Sequence, residues 1–208
     1  AVHLVNGLLV FDLLRLTILS RAVRQPMQPA RAAVTAFVMA LLWLIHPLQT
    51  EAVTYASQRT ELLFCLFLLL TLWAFVRSGP GAGRQRWSAV AVGACGLGMA
   101  SKETMVVAPL LVFLYDRTFV SGSFGRAWRS HGMLHLGLML TWVMLGALVM
   151  LFPRTGSAGF GHGGHTGLSA WTYLLTQSRA IVHYLHQAVW PDRLSIDIHL
   201  PVAQTVGD

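Results

Sequence analysis

The stretch His46-Pro47-Leu48-Gln49-Thr50-Glu51-Ala52-Val53-Thr54-Tyr55-Ala56-Ser57-Gln58-Arg59 decides how the rest of the chain is read. It lies between two long apolar runs and holds more ionisable and hydrogen-bonding groups than either. Pro47 lacks an amide proton, and its ring clashes with the carbonyl four residues back, so a helix arriving from residue 32 ends there. Thr50 suits the cap of a new helix with Glu51 in its first turn. Four-residue spacing then sets Glu51, Tyr55 and Arg59 on one face. A polar face just outside a hydrocarbon layer is where a membrane protein can handle a charged substrate.

Working outward, composition sets the solvent. The chain has 208 residues, 55% hydrophobic and 11% charged, with a mean hydropathy of +0.59. Soluble domains carry about 25% charged residues. Charge this sparse, gathered between apolar runs, predicts an all-α fold: a polytopic transmembrane helical bundle forming a single integral membrane domain over 1–208. The expected spans are 1–22, 32–46, 60–76, 88–100, 105–115 and 132–152, against the roughly 20 apolar residues that a crossing helix needs. The two short ones meet at the polar turn Ser101-Lys102-Glu103-Thr104, or join into one kinked span around Pro109. Gly93, Gly96 and Gly98 predict close helix approach there.

Within the first span, Asp12 and Arg15 lie three residues apart and offset each other's desolvation. Glu61 opens the third span, where a carboxylate gains from the helix dipole. Cys65 and Cys95 sit in apolar runs as small buried residues. Asp116 to Ser130 reads as a basic loop. Pro153 to Gly167 reads as a glycine-rich loop whose His162 and His165 lack a third ligand nearby, so no metal site is expected. Residues 169–190 carry one apolar and one polar stripe, the latter with Thr176, Arg179, His183 and His186. That pattern predicts an amphipathic helix near the C-terminus that lies in the outer interface, plugs a cavity or spans. Ala1 opens inside a hydrophobic segment without a cleavable leader, so the true beginning is expected to precede it.

The net charge of +7 does not point to nucleic acid, because no basic face or aromatic-basic sheet pattern accompanies it. Its partners are instead anionic membrane lipids. Arginines concentrate in three connectors, 21–31, 77–86 and 117–129, with three in each. Positive loops stay in the cytoplasm. The stretches 46–59 and 101–104 therefore face the extracytoplasmic side, as expected for a bacterial inner-membrane protein. There Glu51 and Glu103 are the candidate catalytic carboxylates, as general base or hydrogen-bond acceptor. Arg59, Lys102 and Arg179 are candidates to grip a phosphate. His46 and His183 can donate to it or shuttle a proton. The simpler alternative is that these charges pair internally or meet lipid headgroups.

Several ordered motifs resemble one family. They are His46–Val53 and Arg59, Ser101-Lys102-Glu103-Thr104 followed by Pro109-Leu110-Leu111 and Tyr115-Asp116, and Thr176-Gln177-Ser178-Arg179 with Tyr184 and Pro191. The family is that of transmembrane-and-tetratricopeptide-repeat proteins, which are O-mannosyltransferase-like and share the GT-C fold. The resemblance implies a GT-C-like fragment that moves a sugar from a polyprenyl-phosphate carrier, its donor substrate, to a Ser or Thr of a protein acceptor. His46–Glu51, Arg59, Lys102 and Glu103 would line the cavity, with Arg179 near the carrier phosphate. The family's acidic catalytic residue falls in a first outer loop that would precede Ala1, and its repeats would follow the membrane part. A reduced relative would instead serve as a structural or assembly subunit, partnered with other integral membrane proteins.

Overall fold

The computed structural model describes residues 1–20, 27–50, 59–151 and 170–191. They form α1 (Val2–Ile18), α2 (Pro29–Leu44), α3 (Arg59–Arg77) and α4 (Arg84–Ser101), then a 3-10 turn at Glu103–Val107. α5 (Ala108–Tyr115), a π-helical turn at Asp116–Ser121, α6 (Phe124–Leu151) and α7 (Ala170–Val189) complete the order. Among the described residues, three segments are long and apolar enough to cross a membrane: Arg59–Arg77, Glu103–Ser121 and Phe124–Leu151. The chain is an all-helical, integral membrane protein.

Local chemistry explains where these helices start and stop. Pro29 opens α2 at the one position where its missing N–H costs nothing. α3 carries Glu61 in its first turn and Arg77 in its last, both signs matched to the dipole. α4 ends where Lys102 turns extended, at φ −154° and ψ 135°. Pro109 follows within the first turn of α5. It offers no amide to the Met105 carbonyl, so the run before it tightens into 3-10 geometry. The same helical run continues past Tyr115 through the wider π turn and stops at Gly122, whose φ of +75° suits only a residue without a Cβ.

One expectation needs correcting here. Asp116 to Ser130 is not a loop: it is helical to Ser121 and again from Phe124. Charged residues at the ends of apolar helices keep the helical backbone and reach for water with their long stems, so hydropathy ends before the helix does. α6 is also bent, with His131 at φ −127° and ψ 21°.

The chain divides into two units, Ala1–His46 with Ala52–Pro153, and Pro47–Glu51 with Arg154–Asp208. In the first, α1 packs on α2 and α3, α3 on α4 and α5, and α4 on α6. Its core, where α3 to α6 meet, contains Phe75, Cys95, Met99, Met105, Val112 and Leu138. Outward-facing Leu8, Val34, Phe37, Leu140 and Val143 remain exposed, an apolar rim suited to lipid. The second unit contributes α7 among its described residues.

Lipid tails are as apolar as the core, so tight packing and polar contacts hold such a bundle more than hydrophobic transfer does. Of the three glycines expected to allow close approach, only Gly98 is tightly covered. A Cβ there would lie 2.8 Å from the Met105 side chain, against 3.7 Å from Met144 at Gly96 and nothing within 4 Å at Gly93. Gly98→Leu should therefore cost about 1–3 kcal/mol by overpacking. Gly93→Ala should be neutral or gain up to about 1 kcal/mol in helix propensity. Unfolding midpoints in detergent distinguish the two, and equal losses at both positions would contradict the packing.

Candidate functional site

Four of the residues singled out by sequence stand at one end of the first unit. His46 follows the end of α2, Arg59 opens α3, Lys102 closes α4 and Glu103 opens the 3-10 turn. Three contacts tie this end together. The His3 ring Nε2 lies 3.0 Å from the Leu44 carbonyl oxygen, Asn6 Nδ2 donates to the Leu62 carbonyl at 3.2 Å, and Lys102 Nζ donates to Glu61 Oε1. His3 also stacks on Trp43, with centroids 5.4 Å apart.

Partial burial pushes the Lys102 ammonium below its ordinary value. Glu61, read from sequence as a dipole partner only, is thus also the partner of Lys102. Glu51 lies outside the described residues. Arg179 lies on α7, with its side chain outside them. His183, in the second unit, meets Tyr184 edge-on at 6.2 Å, and its Nε2 is buried with no hydrogen-bond partner among the described residues.

The opposite end of α3 lies roughly 24 Å away, sixteen residues at about 1.5 Å each. There the Asp12–Arg15 pair forms as its spacing suggests, and it is larger than expected. Asp12 Oδ1 accepts from Arg15 Nε at 3.2 Å and Nη2 at 2.8 Å; Oδ2 accepts from Trp73 Nε1 and Arg77 Nη2, each at 2.8 Å. The Arg77 guanidinium lies 4.5 Å over the Trp73 ring. One carboxylate thereby fastens α1 to α3, with its acceptor positions filled. This is a structural clamp.

The same arginine-bearing end contains a second cluster. Asp116, on the π turn, is fully buried. Its Oδ2 lies 3.0 Å from His131 Nδ1 and 2.8 Å from His135 Nε2, while Oδ1 accepts from Ser121 Oγ at 2.7 Å. Two local features make this convergence possible. The π turn widens the backbone at Asp116, and the bend at His131 lets two rings four residues apart meet one oxygen. Phe75 and Phe113 wall the rings, with Phe113 4.9 Å from His135. His135 is 1% exposed, and its Nδ1 has no hydrogen-bond partner among the described residues. His131, 9% exposed, lines a groove of about 1140 Å³ between the start of α4 and α6, together with Arg84, Ser88, Trp128 and Arg129.

The ligand atoms of Asp116, His131 and His135 lie within 4.8 Å of one another. A buried carboxylate facing two imidazoles can hold a metal ion or pass a proton, which is the equipment of a catalytic membrane protein. The sequence singles out neither histidine, and it marks Asp116 only beside Tyr115 in the family motif and as the start of a basic loop. The overlooked signal is His131-Gly132-Met133-Leu134-His135: two histidines at four-residue spacing share a helix face, a common ligand pattern. Asp116 joins them only through the π turn, which leaves no mark in periodicity.

Compared with known proteins, the chain matches no family model, no curated protein and no solved structure. Fold and site together define an all-helical membrane protein with a buried Asp–His–His cluster.

Proposed function

We propose that this protein takes part in glycosyl transfer from an isoprenoid-phosphate-linked sugar donor, outside the cytoplasm. The observation that supports this most is the gathering of His46, Arg59, Lys102 and Glu103 at the end of the bundle opposite Arg15, Arg77 and Arg84. If the arginine-bearing end stays in the cytoplasm, the other end meets the leaflet where such a donor presents its phosphate. Lys102 and Arg59 would stabilise the leaving phosphate. Glu103 would take the proton of a Ser or Thr hydroxyl as its oxygen attacks the anomeric carbon. The resemblance of its ordered motifs to the transmembrane-and-tetratricopeptide-repeat family supports the same reading. In it α7 lies in the outer interface, its apolar stripe toward lipid.

Purified protein in nanodiscs, given radiolabelled polyprenyl-phosphate sugars and Ser/Thr peptides, should transfer label to peptide. Absence of transfer with every such donor would contradict the proposal.

The Lys102–Glu61 pair favours a second reading, in which the polar end is internally neutralised and the protein is a non-catalytic subunit of a membrane complex. Co-purification with other integral membrane proteins in fixed stoichiometry, without transfer activity, is its expected signature.

A further inference from the structure

We propose that Asp116, His131 and His135 form a binding site for a divalent transition-metal ion of the zinc class, at the end of the bundle opposite Lys102. Spacing carries the idea first. Ring nitrogens 3.0 and 2.8 Å from the carboxylate oxygen are close to the ligand–ligand edge of about 3.3 Å expected for tetrahedral zinc with bonds near 2.0 Å. All three ligand atoms already lie within 4.8 Å of one another, so an ion between them replaces the two hydrogen bonds as the carboxylate draws back and the rings close on it. Two imidazoles and one carboxylate suit zinc, cobalt or iron(II) better than magnesium or calcium, which ask for oxygen.

Charge carries it second. With both rings neutral, a fully buried carboxylate keeps a net charge of −1. A divalent ion bound by His131 Nδ1, His135 Nε2 and Asp116 Oδ2 neutralises the carboxylate directly, in exchange for the hydrogen bonds that the two rings make to it. The groove beside His131 is the entry path, and the fourth position falls to water or to the Ser121 hydroxyl. Loading also moves the ring proton of His135 onto Nδ1, which has no protein acceptor among the described residues. Metal-bound histidines normally donate there, and losing that partner weakens a site ~10–100-fold. The site therefore holds its ion less tightly than one with that partner, and a chelator should strip it.

The test is zinc content after equilibrium dialysis and gel filtration of the purified protein. Wild type should retain about one equivalent, as should a His162→Ala/His165→Ala variant. His131→Gln and His135→Gln, whose amides can still donate to Asp116 but ligate poorly, should each lose it. Retention of zinc by both glutamine variants would overturn the site, as would its loss on removing His162 and His165. If the glutamine variants do not fold, X-ray absorption on the zinc-loaded His162→Ala/His165→Ala protein decides. Two imidazoles with oxygen support the site; sulfur or a single imidazole excludes it. No sugar donor enters this experiment, so its outcome is independent of the transfer activity proposed above.

Discussion

Asp116→Ala should lower the unfolding free energy by about 3–5 kcal/mol, because three side-chain donors lose their shared acceptor at once. The carboxylate takes three donors, from His131, His135 and Ser121, at 2.7 to 3.0 Å. Alanine leaves them facing an apolar pocket walled by Phe75 and Phe113. Each buried donor left unmade costs about 1–3 kcal/mol, and the three are coupled, so the sum is not simply additive. Asp116→Asn should be milder, about 1–2 kcal/mol. Its carbonyl still accepts from the rings, and Ser121 can turn its hydroxyl to accept from the new NH₂. Denaturant titration in detergent micelles measures both. An alanine variant as stable as wild type would mean that the cluster is not buried as described.

Lys102→Met should reduce glycosyl transfer by roughly 10²–10³-fold, the usual effect of removing one group that stabilises developing transition-state charge. Stability should hardly change, because the Lys102–Glu61 pair is partly solvated, at 28% and 40% side-chain exposure, and such pairs contribute about 0–1 kcal/mol. The charge-exchanged variant Lys102→Glu/Glu61→Lys separates the two roles. It restores an ion pair but turns the cation away from its place on the turn after α4, so transfer should stay low. Recovery of transfer in the exchanged protein would make the pair structural and remove Lys102 from the donor site.

How far the sequence reveals this molecule depends on the kind of signal. α3 and the second half of α6 are uninterrupted Leu-, Phe- and Met-rich runs, and hydropathy finds them. Asp12 and Arg15 pair within one helix, so their spacing was enough; Trp73 and Arg77, brought in from α3, were not visible. The segment Glu103–Ser121 was harder, because it changes from 3-10 to α to π geometry, and its last turn is polar. Reading that turn as a loop detached Asp116 from a helix and hid its meeting with His131 and His135. The HxxxH spacing was there to be read, but the third ligand depends on a backbone widening that no residue type announces. At the other end, the gathering of Lys102 and Arg59 with Glu103 followed from alternation of charge between connectors, a pattern that survives errors in helix boundaries.

The proposed division of chemistry between two faces of the membrane is tested most directly by cysteine accessibility. Glu103 and Arg126 are both exposed, at opposite ends of the first unit. In a background with Cys65→Ala and Cys95→Ala, Glu103→Cys should react with a membrane-impermeant maleimide added to intact cells. Arg126→Cys should react only after the membrane is opened. Labelling of both positions from the same side would contradict the arrangement on which the proposed donor site and its separation from the Asp–His–His cluster depend.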